Sequence, residues 1–386
     1  MMAGGRIDSL QIGMHWFTER QGGLDRMFMA LIESLPSQGV DVRGLVAGSE
    51  KVQRETHGVV QAFALESDKL GTRLAGARRH SIRLGRARQP DIVATHFALY
   101  AAPTLGALGP VPRVVHFHGP WAAESSASGR GKLSNALRHA IERTVYRGAR
   151  RHIVLSNAFG RVLHEEYRIP DESIRVVPGC VDVDRFDPPQ TMAEARERLG
   201  LAPDRPHLFC IRRLVARMGL EDLIDAMVIV KHAVPCVHLT IAGKGPLEGA
   251  LRERITARGL DAHVTLAGYV PDEDLPLWYR AADLSVVPTV ALEGFGLTTA
   301  ESLAAGTPVL VTPVGGLPEA VAPLSGSLVL PSTGIDAIGS GIVDALLGHY
   351  PLPDAQTCRG YARSRFEYAV VAAQVAQVYR EALNEG

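Results

Sequence analysis

The sequence predicts an α/β protein made of two doubly wound, Rossmann-like domains that face a cleft. The chain has 386 residues, more than the about 250–300 residues that one hydrophobic core usually supports. Short apolar segments alternate with amphipathic stretches, a pattern typical of parallel sheets covered by helices on both faces. The pattern occurs on both sides of the proline-containing segment VDVDRFDPPQ at 181–190. In such sheets ligands bind at the carboxyl ends of the strands, so the cleft is the predicted site.

Strands and helices alternate in both halves of the chain. The strands predicted in the first half are IDSLQIGM, VRGLVAG, DIVATHF, RVVHFH and RHIVLS. Those predicted in the second half are HLFCIRR, CVHLTIAG, HVTLAGY, LSVVPT and TPVLVT. Amphipathic spacing predicts helices at about 24–35, 132–146, 192–199 and 361–383.

Composition excludes several classes of protein. Lys and Arg total 41 and Asp and Glu total 41, and this zero net charge argues against a general nucleic-acid binder. The zero is the sum of two halves: residues 1–183 hold 24 basic and 17 acidic side chains, net +7, and residues 184–386 hold 17 and 24, net −7. The apolar fraction of 46% fits folded cores. No apolar run approaches the about 18 residues of a membrane-spanning helix.

The cysteines and the start of the chain indicate a reduced compartment. Four cysteines, at 180, 210, 236 and 358, are widely spaced and form no CxxC pair, which disfavours a disulfide framework or a zinc site. The first residues, MMAGGRIDSLQIGMHW, lack the charged region followed by an apolar region that marks a signal peptide. We therefore expect a cytoplasmic protein.

A glycine-rich segment, residues 286–319, holds the clearest chemical signal. It reads VVPTVALEGFGLTTAESLAAGTPVLVTPVGGLPE, with a strand ending near Pro288 and a helix beginning near Leu297. The turn between them, Glu293-Gly294-Phe295-Gly296, allows the backbone to approach a ligand closely. The amides of Leu297 and Thr298, at the helix N-terminus, can donate to phosphate oxygens. Glu301 follows on the helix, where its carboxylate can face a ribose diol.

Two glutamates eight residues apart around such a turn resemble the Glu-x7-Glu motif of family 4 glycosyltransferases. Members of that family are retaining enzymes of the GT-B fold, with two Rossmann-like domains around a donor cleft. The resemblance extends over nearly the whole chain, through blocks that occur in the family's order. These are Gly22–Arg26, VVHFHG, IVLSNAFGRVL, VVPGCVDVDRF, RRLVARMGLEDLIDAM, IAGKGP and AGYVPDEDLPLWYRAADLSVVPT. For a single glutamate, complementing the helix dipole is a sufficient structural explanation.

The resemblance implies roles in donor binding. The family's first glutamate contacts the donor sugar and its second binds the nucleotide ribose, which implies these roles for Glu293 and Glu301. An arginine after the first C-terminal strand clamps the diphosphate, and Arg213 matches it. The family's next lysine is replaced here by Met218, so the neighbouring Arg217 is the alternative cation.

Further donor contacts are implied at five positions outside the motif. The first glycine loop holds Gly22 and Gly23, whose amides share the diphosphate. The loop GKGP, with Gly243 and Gly245, and the backbone of Val270 border the nucleobase. The GKGP loop is no dinucleotide fingerprint, because residue 248 is a glutamate where GxGxxG requires glycine.

Three histidines end strands of the first half. His118, in HFHG, aligns with the family histidine beside the donor sugar, and we assign it with Glu293 and Arg213 to the catalytic centre. His116 lies on the same face of its strand, and His96 ends another strand. For His116 and His96 a buried structural role is the interpretation that we favour.

The implied reaction is hexose transfer from a nucleotide diphosphate sugar to a hydroxyl, with retained anomeric configuration and with no cofactor or metal. We favour a UDP-sugar (glucose or N-acetylglucosamine) as the donor, with GDP-mannose as the alternative. The sequence Asp182-Val183-Asp184 spells DxD, a metal signature of another glycosyltransferase fold, but its second aspartate reads as a turn cap. Other classes that stay open are a UDP-N-acetylglucosamine epimerase and a non-catalytic nucleotide-sugar binding protein.

The acceptor has two candidate settings. Glu19, Asp25 and Glu124 are predicted in loops beside the acceptor pocket, where they suit a small polyol or aminocyclitol, the acceptor that we favour. Residues 72–88 hold six arginines and no acid, with a weakly apolar face that suits docking on an anionic membrane to reach a lipid-linked acceptor. A helix that covers the sheet with a solvated basic side explains the same pattern.

The resemblance also implies how the domains divide the work. Residues 1–183 form the acceptor-side domain, joined by the last helix at about 366–386, which crosses back onto it. Residues 184–365 form the donor domain. Partners are thus the nucleotide sugar and a small-molecule or lipid-linked acceptor, without nucleic acid.

Overall fold

The computed structural model describes residues 5–122 and 132–384. The chain forms two compact units: residues 1–180 with 368–386 are unit 1, and residues 181–367 are unit 2. The predicted division after residue 183 lies three residues later than this one. The reason is local, because Val181 pairs with Glu367 and donates its N–H to the carbonyl of Phe366 at 2.8 Å.

Unit 1 contains one parallel sheet in the described part of the chain. Its strands are β1 (Ile7–His15), β2 (Val40–Ala47), β3 (Val60–Ala64), β4 (Ile92–Thr95), β5 (Arg113–Phe117), β6 (Arg151–Val154) and β7 (Ile174–Val176), in the order β3-β2-β1-β4-β5-β6-β7. Its first helices are α1 (Gly23–Ser34), α2 (Glu50–Glu55), α3 (Leu70–Ala87), α4 (Ala98–Ala101), α5 (Lys132–Arg147) and α6 (Asn157–Tyr167). The order reverses between β1 and β4, as in doubly wound folds.

Strand β1 shows why its sequence is not purely apolar. Leu10 and Ile12 are fully buried and join the core under α3. Asp8, Ser9 and Gln11 are equally buried on the same strand, and buried polar groups need hydrogen-bond partners. Asp8 accepts from the guanidinium of Arg43. Ser9 donates to the carbonyl of Asp41 at the start of β2, and Gln11 lies within hydrogen-bond distance of Ser9, His96 and Tyr379.

Unit 2 repeats the architecture on a smaller scale. Its parallel strands are β8 (His207–Ile211), β9 (His238–Ala242), β10 (Val264–Gly268), β11 (Leu284–Val287) and β12 (Val309–Val311), in the order β10-β9-β8-β11-β12. Its helices are α7 (Val183–Phe186), α8 (Met192–Leu199), α9 (Leu220–Ala233), α10 (Glu248–Ala257), α11 (Leu275–Ala281), α12 (Leu297–Ala304), α13 (Leu317–Val321), α14 (Ile335–Leu347) and α15 (Ala355–Phe366). Here the order reverses between β8 and β11.

The C-terminal tail is two helices, where the sequence predicts one. Helix α15 ends at Phe366, and helix α16 (Tyr368–Asn384) follows after Glu367, whose extended backbone (φ −57°, ψ 141°) interrupts the helical path. Amphipathic spacing did not reveal this break, because neither glycine nor proline marks it. Helix α16 belongs to unit 1 and packs against α1 and β6.

No helix in the described residues has the length and hydropathy needed to cross a membrane.

Candidate functional site

In unit 2, the segments that leave β8 and β11 carry the polar side chains of the predicted donor site. The strand order reverses between these two strands, and ligands bind at such a switch point in doubly wound sheets. Strand β8 continues into residues 212–219, and β11 continues into residues 288–296. The topology therefore brings the predicted diphosphate clamp and the glycine-rich turn together.

A buried ion pair joins these two segments. Nη2 of Arg212 contacts the carboxylate of Glu293 and the hydroxyl of Thr289, and its Nη1 lies 3.4 Å from Oγ1 of Thr298. Burial by itself would raise the pKa of Glu293, but Arg212, assisted by Arg217, holds that pKa below its usual value. Glu293 is thus an ionised carboxylate at neutral pH, oriented by a cation from the neighbouring strand.

Arg213 lies outside this ion pair. Its side chain is exposed and makes no hydrogen bond or ion pair with any described residue. Sequence reasoning assigned the site's arginine to Arg213 and missed Arg212. Successive residues of an extended segment face opposite sides, so one of two adjacent arginines had to turn inward. The spacing does not tell which one.

The cation next in sequence also lies beside the glycine-rich turn. Nη1 of Arg217 donates to the carbonyl of Leu292 at 2.8 Å, and its charge contributes to the lowered pKa of Glu293. Met218 is only 5% exposed and belongs to the hydrophobic core of unit 2. Position 218 therefore supplies packing, while Arg217 brings a positive charge to the loop.

The glycine-rich turn is held by a second glycine pair. The carbonyl of Glu293 accepts from the N–H of Gly316 at 3.0 Å. Gly315 has a φ of +57°, and a Cβ there would lie 1.9 Å from that carbonyl oxygen. Leu292 has a positive φ of 54°, a conformation that costs energy for a side chain with a Cβ. The backbone around Glu293 is therefore fixed by contacts that only glycine permits.

Helix α12 begins without a side-chain cap. Its N-cap residue, Gly296, has a φ of 78° and no side chain that accepts a hydrogen bond, and no acidic residue lies in the first turn. Such an N-terminus favours an anion, because its first N–H groups are unsatisfied within the helix. The assignment of Leu297 and Thr298 to a phosphate remains a prediction.

The second glutamate of the motif is buried on α12. Glu301 is 4% exposed, and its Oε2 accepts from the hydroxyl of Tyr279 at 3.0 Å. Gly294 and Phe295, between the two glutamates, are also buried, and the Phe295 ring packs edge-on against Phe366 at a centroid distance of 5.2 Å. The motif thus contributes core packing in addition to any ligand contact.

The GKGP loop lies against the segment that carries Arg212. Gly243 has a φ of +130°, and a Cβ there would lie 1.9 Å from the carbonyl oxygen of Arg212. Val270 is buried, while Tyr269 beside it is 50% exposed, with Nζ of Lys244 at 5.3 Å from its ring centroid. Gly243 has a structural reason to be glycine, and the nucleobase contacts of this loop stay predictions.

In unit 1, three imidazoles meet at the carboxyl ends of β4 and β5: His116 is within β5, and His96 and His118 follow β4 and β5. The rings of His96 and His116 stack at 4.1 Å, and the rings of His96 and His118 at 5.4 Å. Nδ1 of His96 lies 3.2 Å from Nε2 of His118. Burial lowers the pKa of His118 to about 4, so it is neutral at physiological pH. His96 therefore touches the predicted site residue directly, where the sequence favoured a structural role alone.

The first glycine loop precedes α1, and its acid lies in the helix. Gly22 is the N-cap and Gly23 the first residue of α1, so Asp25 occupies the first turn of the helix. The prediction that Asp25 lies in a loop is therefore wrong. Asp25 is 4% exposed, and its Oδ1 accepts from the N–H of His15 at 3.0 Å. Burial raises the pKa of Asp25 to about 7. Asp25 thus connects the first turn of α1 to the end of β1 by a buried hydrogen bond.

Glu19, the other predicted acceptor-side acid among the described residues, contacts the loop after β2. Glu19 is exposed, and its carboxylate accepts from the N–H and hydroxyl of Ser49, which caps α2. This contact ties the loop after β1 to the loop after β2. Glu124 lies outside the described residues.

The basic segment 72–88 lies on helix α3, which covers the sheet, except for its last residue, Arg88, which is the C-cap of that helix. Its inward side, with Leu74, Ala77 and Leu84, packs in the core of unit 1, and Ser81 is fully buried. The apolar face that was a candidate for membrane docking is therefore occupied inside the unit. A basic outer side remains.

The DxD sequence has a structural role. Asp182 caps α7 by accepting from the N–H of Arg185 at 3.0 Å, and Asp184 pairs with Arg363 at 2.7 Å. The capping residue is the first aspartate, Asp182, so the prediction that the second aspartate caps the turn is wrong. Among the described residues, no group of three or more His, Cys, Asp or Glu side chains is placed to hold a metal ion.

Comparison with known families decides which family this chain represents. The model of Glycosyltransferase Family 4 matches residues 21–185, and the model of Glycosyl transferases group 1 matches residues 191–365. The chain belongs to glycosyltransferase family 4. The two models meet at residues 186–190, near the start of unit 2 at Val181, so each matches about one half of this family 4 protein.

Two curated relatives illustrate the range within the family. A GDP-mannose-dependent alpha-(1-6)-phosphatidylinositol monomannoside mannosyltransferase of Mycolicibacterium smegmatis is 35% identical over 184 residues, covering 46% of this chain and 48% of the relative. The chain thus matches about half the length of this relative. A D-inositol 3-phosphate glycosyltransferase of an Arthrobacter species is 29% identical over 321 residues, covering 78% of this chain and 76% of the relative.

Solved structures share the fold. A sucrose-phosphate synthase from Thermosynechococcus elongatus superposes with a TM-score of 0.78 at 21% identity, covering 99% of this chain and 100% of that one. A glycosyltransferase from Rickettsia africae superposes with a TM-score of 0.77 at 17% identity, with coverage of 99% and 100%. The predicted two-domain GT-B fold is confirmed.

Proposed function

We propose that this family 4 protein transfers a hexose from a nucleoside diphosphate sugar to an acceptor hydroxyl, with retained anomeric configuration and without a metal. The supporting observation is the arrangement around Glu293 in unit 2. An ionised carboxylate held by Arg212, the uncapped N-terminus of α12 and the exposed guanidinium of Arg213 lie on the segments that leave β8 and β11. The carboxylate suits sugar hydroxyls, and the cation and amides suit a diphosphate.

The chemistry needs positive partners for the leaving group. As the bond between the anomeric carbon and the diphosphate oxygen breaks, negative charge grows on the diphosphate, and fixed donors stabilise it. The acceptor oxygen bonds to the anomeric carbon on the same face, and the acceptor proton passes to the departing phosphate oxygen. In this proposal Arg213, Arg217 and the first amides of α12 hold the diphosphate. Glu293 orients the sugar in unit 2, and His118 of unit 1 contacts it.

The donor that we favour on the basis of the relatives is GDP-mannose. The mannosyltransferase of M. smegmatis is GDP-mannose-dependent by name and 35% identical. The UDP-hexose favoured from the sequence rests on no residue of this chain and stays a prediction. The base is contacted in this proposal through the backbone near Val270, so side-chain identity does not discriminate between the two.

For the acceptor we propose a polyol that carries a phosphate. The names of both relatives contain an inositol phosphate or a phosphatidylinositol. In unit 1, Arg20 and Arg73 both lower the pKa of His15 at the end of β1, after the larger effect of burial. Arg73 also donates to the hydroxyl of Tyr100 at 2.7 Å. Arg20 is already paired with Glu66, so Arg73 is the cation that carries this proposal. A cation at the carboxyl edge of the sheet suits an anionic acceptor better than the cationic aminocyclitol that the predicted acids implied.

A donor panel with product analysis tests the proposal. Thermal shifts are measured with GDP, UDP and ADP and their sugars, since a ligand at 100 times its Kd adds about 2.7 kcal/mol of stability. The stabilising donor is then incubated with inositol phosphates with and without EDTA, and the anomer of the product is read by NMR. We expect an α-linked product from an α-linked donor, unaffected by EDTA. An inverted anomer, or loss of activity with EDTA, would refute the mechanism.

Glu293→Ala separates transfer from mere binding. In an enzyme, this variant loses transfer while it still binds the free nucleoside diphosphate, because that contact lies at Arg213 and α12. A non-catalytic binding protein shows no transfer in the parent chain either. Arg212→Met in the Glu293→Ala background is the control, because it removes the unpaired cation that the first change leaves behind.

A further inference from the structure

His118 stands at the end of a hydrogen-bond chain that begins at a backbone carbonyl. The chain runs from the carbonyl of Asp41 through Ser9, Gln11 and His96 to His118. Its successive distances are 3.0, 3.0, 3.1 and 3.2 Å. Ser9, Gln11 and His96 are all at most 3% exposed, so water does not compete for these bonds.

The first two links fix the orientation of the Gln11 amide. A carbonyl only accepts, so the single hydroxyl hydrogen of Ser9 is donated to Asp41. Oγ of Ser9 must then accept from Gln11, and the group facing it is the amide NH2. The carbonyl oxygen of Gln11 is therefore on the other side, toward His96.

The next two hydrogen bonds determine which ring nitrogens of His96 and His118 bear a hydrogen. Oε1 of Gln11 accepts, so Nε2 of His96 bears a hydrogen and its Nδ1 bears a lone pair. That lone pair accepts from Nε2 of His118. Burial lowers the pKa of His118 to about 4 and that of His96 well below its usual value. Each ring consequently carries one hydrogen at neutral pH, which is the condition for a defined tautomer.

We propose that His96 and Gln11 are positioning residues that fix His118 as its Nε2–H tautomer and leave Nδ1 as a hydrogen-bond acceptor for the sugar. Nδ1 of His118 makes no hydrogen bond with any described residue. The inference rests on the proposed function, in which His118 contacts the donor sugar. It follows that His118 favours a sugar substituent that can donate a hydrogen bond to Nδ1, such as a hydroxyl. A substituent that can only accept hydrogen bonds is disfavoured.

The same network offers a matched control. Nε2 of His116 lies 2.9 Å from the hydroxyl of Tyr379, which also lies near both ends of the Gln11 amide. Tyr379→Phe removes a buried hydroxyl of this network but leaves the bonds from Ser9 to His118 in place. Gln11→Met removes the amide and breaks the chain, with similar side-chain volume.

The tautomer is read directly by NMR, without any assumption about activity. The full chain is labelled with 15N-histidine, and two-bond 1H–15N correlations are recorded at pH 7.5, with His118→Asn used for assignment. We expect His118 to show a protonated Nε2 and an unprotonated Nδ1, unchanged in Tyr379→Phe and mixed in Gln11→Met. A protonated Nδ1, or a mixed pattern in the parent chain, would overturn the assignment.

The effect on transfer is tested by a pair of substitutions at one position. His96→Gln keeps a carbonyl that accepts from His118, because its amide NH2 faces Gln11, whereas His96→Leu has no acceptor. We expect kcat/KM to fall about tenfold or more in His96→Leu and Gln11→Met. His96→Gln and Tyr379→Phe are expected to stay within about threefold of the parent. Equal losses in His96→Gln and His96→Leu would show that packing, and not the tautomer, matters.

The two proposals can fail separately. If the parent chain transfers no sugar at all, the proposed function is refuted, while the NMR experiment still tests the tautomer of His118.

Discussion

Arg212 and Arg213 are adjacent in the chain, yet one is buried in an ion pair with Glu293 and the other is exposed. The end of β8 is extended, so the two side chains face opposite sides. The inner arginine keeps the carboxylate ionised and in place. The outer arginine keeps its donors available for a ligand. The first prediction separates these two roles.

Arg213→Ala is expected to weaken binding of nucleoside diphosphates and to leave stability unchanged. A charged hydrogen bond contributes about 1.5–3 kcal/mol, so Kd should rise about 10- to 100-fold in calorimetric titrations. Arg212→Met leaves Glu293 buried without its partner, which typically costs about 3–5 kcal/mol of folding stability. Chemical denaturation should show this loss in Arg212→Met alone. Equal stability of the two variants would contradict the assignment.

The second prediction concerns the cation at 217. Arg217→Ala should also raise the Kd for the diphosphate, by about tenfold, because its guanidinium lies at the Glu293 loop. Met218→Lys restores the lysine that is usual in the family at this position. Since Met218 is buried in the core of unit 2, the new ammonium must be desolvated. We expect lower stability and no gain in affinity, measured by the same titrations and by denaturation. Tighter binding in Met218→Lys would show that position 218 reaches the ligand.

The alternation of strands and helices predicted two doubly wound domains, and the Glu-x7-Glu segment predicted the turn after β11. These features depend on local periodicity and on glycines, which a sequence displays directly. The break at Glu367 and the choice between Arg212 and Arg213 depend on tertiary packing. A shift of one residue along the chain changes which side chain faces the core, and local sequence patterns do not determine such a shift.

Long-range partners explain the other differences from prediction. The sequence predicts Asp25 in a loop. In the structure its carboxylate is buried and accepts a hydrogen bond from the backbone N–H of His15, ten residues earlier. Gln11 lies in an ordinary strand sequence, and its partner Tyr379 is 368 residues away. The basic outer side of α3 was predicted correctly, but its apolar side faces the core and not a membrane.

The third prediction tests the glycine pair that holds Glu293. Gly315→Ala places a Cβ 1.9 Å from the carbonyl oxygen of Glu293 and has a φ of +57°. Gly348→Ala is the matched control, because its φ is +71° and nothing lies within 4 Å of the added Cβ. Both variants bear the cost of a left-handed alanine, about 1–2 kcal/mol. Only Gly315→Ala should also lower transfer activity and donor affinity. Equal activity of the two variants would show that the Glu293 loop tolerates displacement.

The fourth prediction is a pH dependence of stability that originates at Asp25. Burial raises its pKa to about 7, with Glu66 acting in the same direction and Arg20 and the His15 N–H opposing. The folded chain therefore holds a proton that the unfolded chain releases above its ordinary pKa of 3.8. Stability should fall as the pH rises from about 4 to about 7, by up to about 4 kcal/mol from this group.

Asp25→Asn removes this titration and keeps an oxygen that accepts from the N–H of His15. His15, whose pKa is lowered to about 4 by burial and by Arg20 and Arg73, acts in the opposite sense. Its contribution is present in both chains, so the difference between them isolates Asp25. Urea denaturation at pH 5 and pH 8 should show the variant gaining stability relative to the parent at pH 8. A difference in stability that is independent of pH would mean that Asp25 is ionised over the whole pH range, which would contradict the raised pKa.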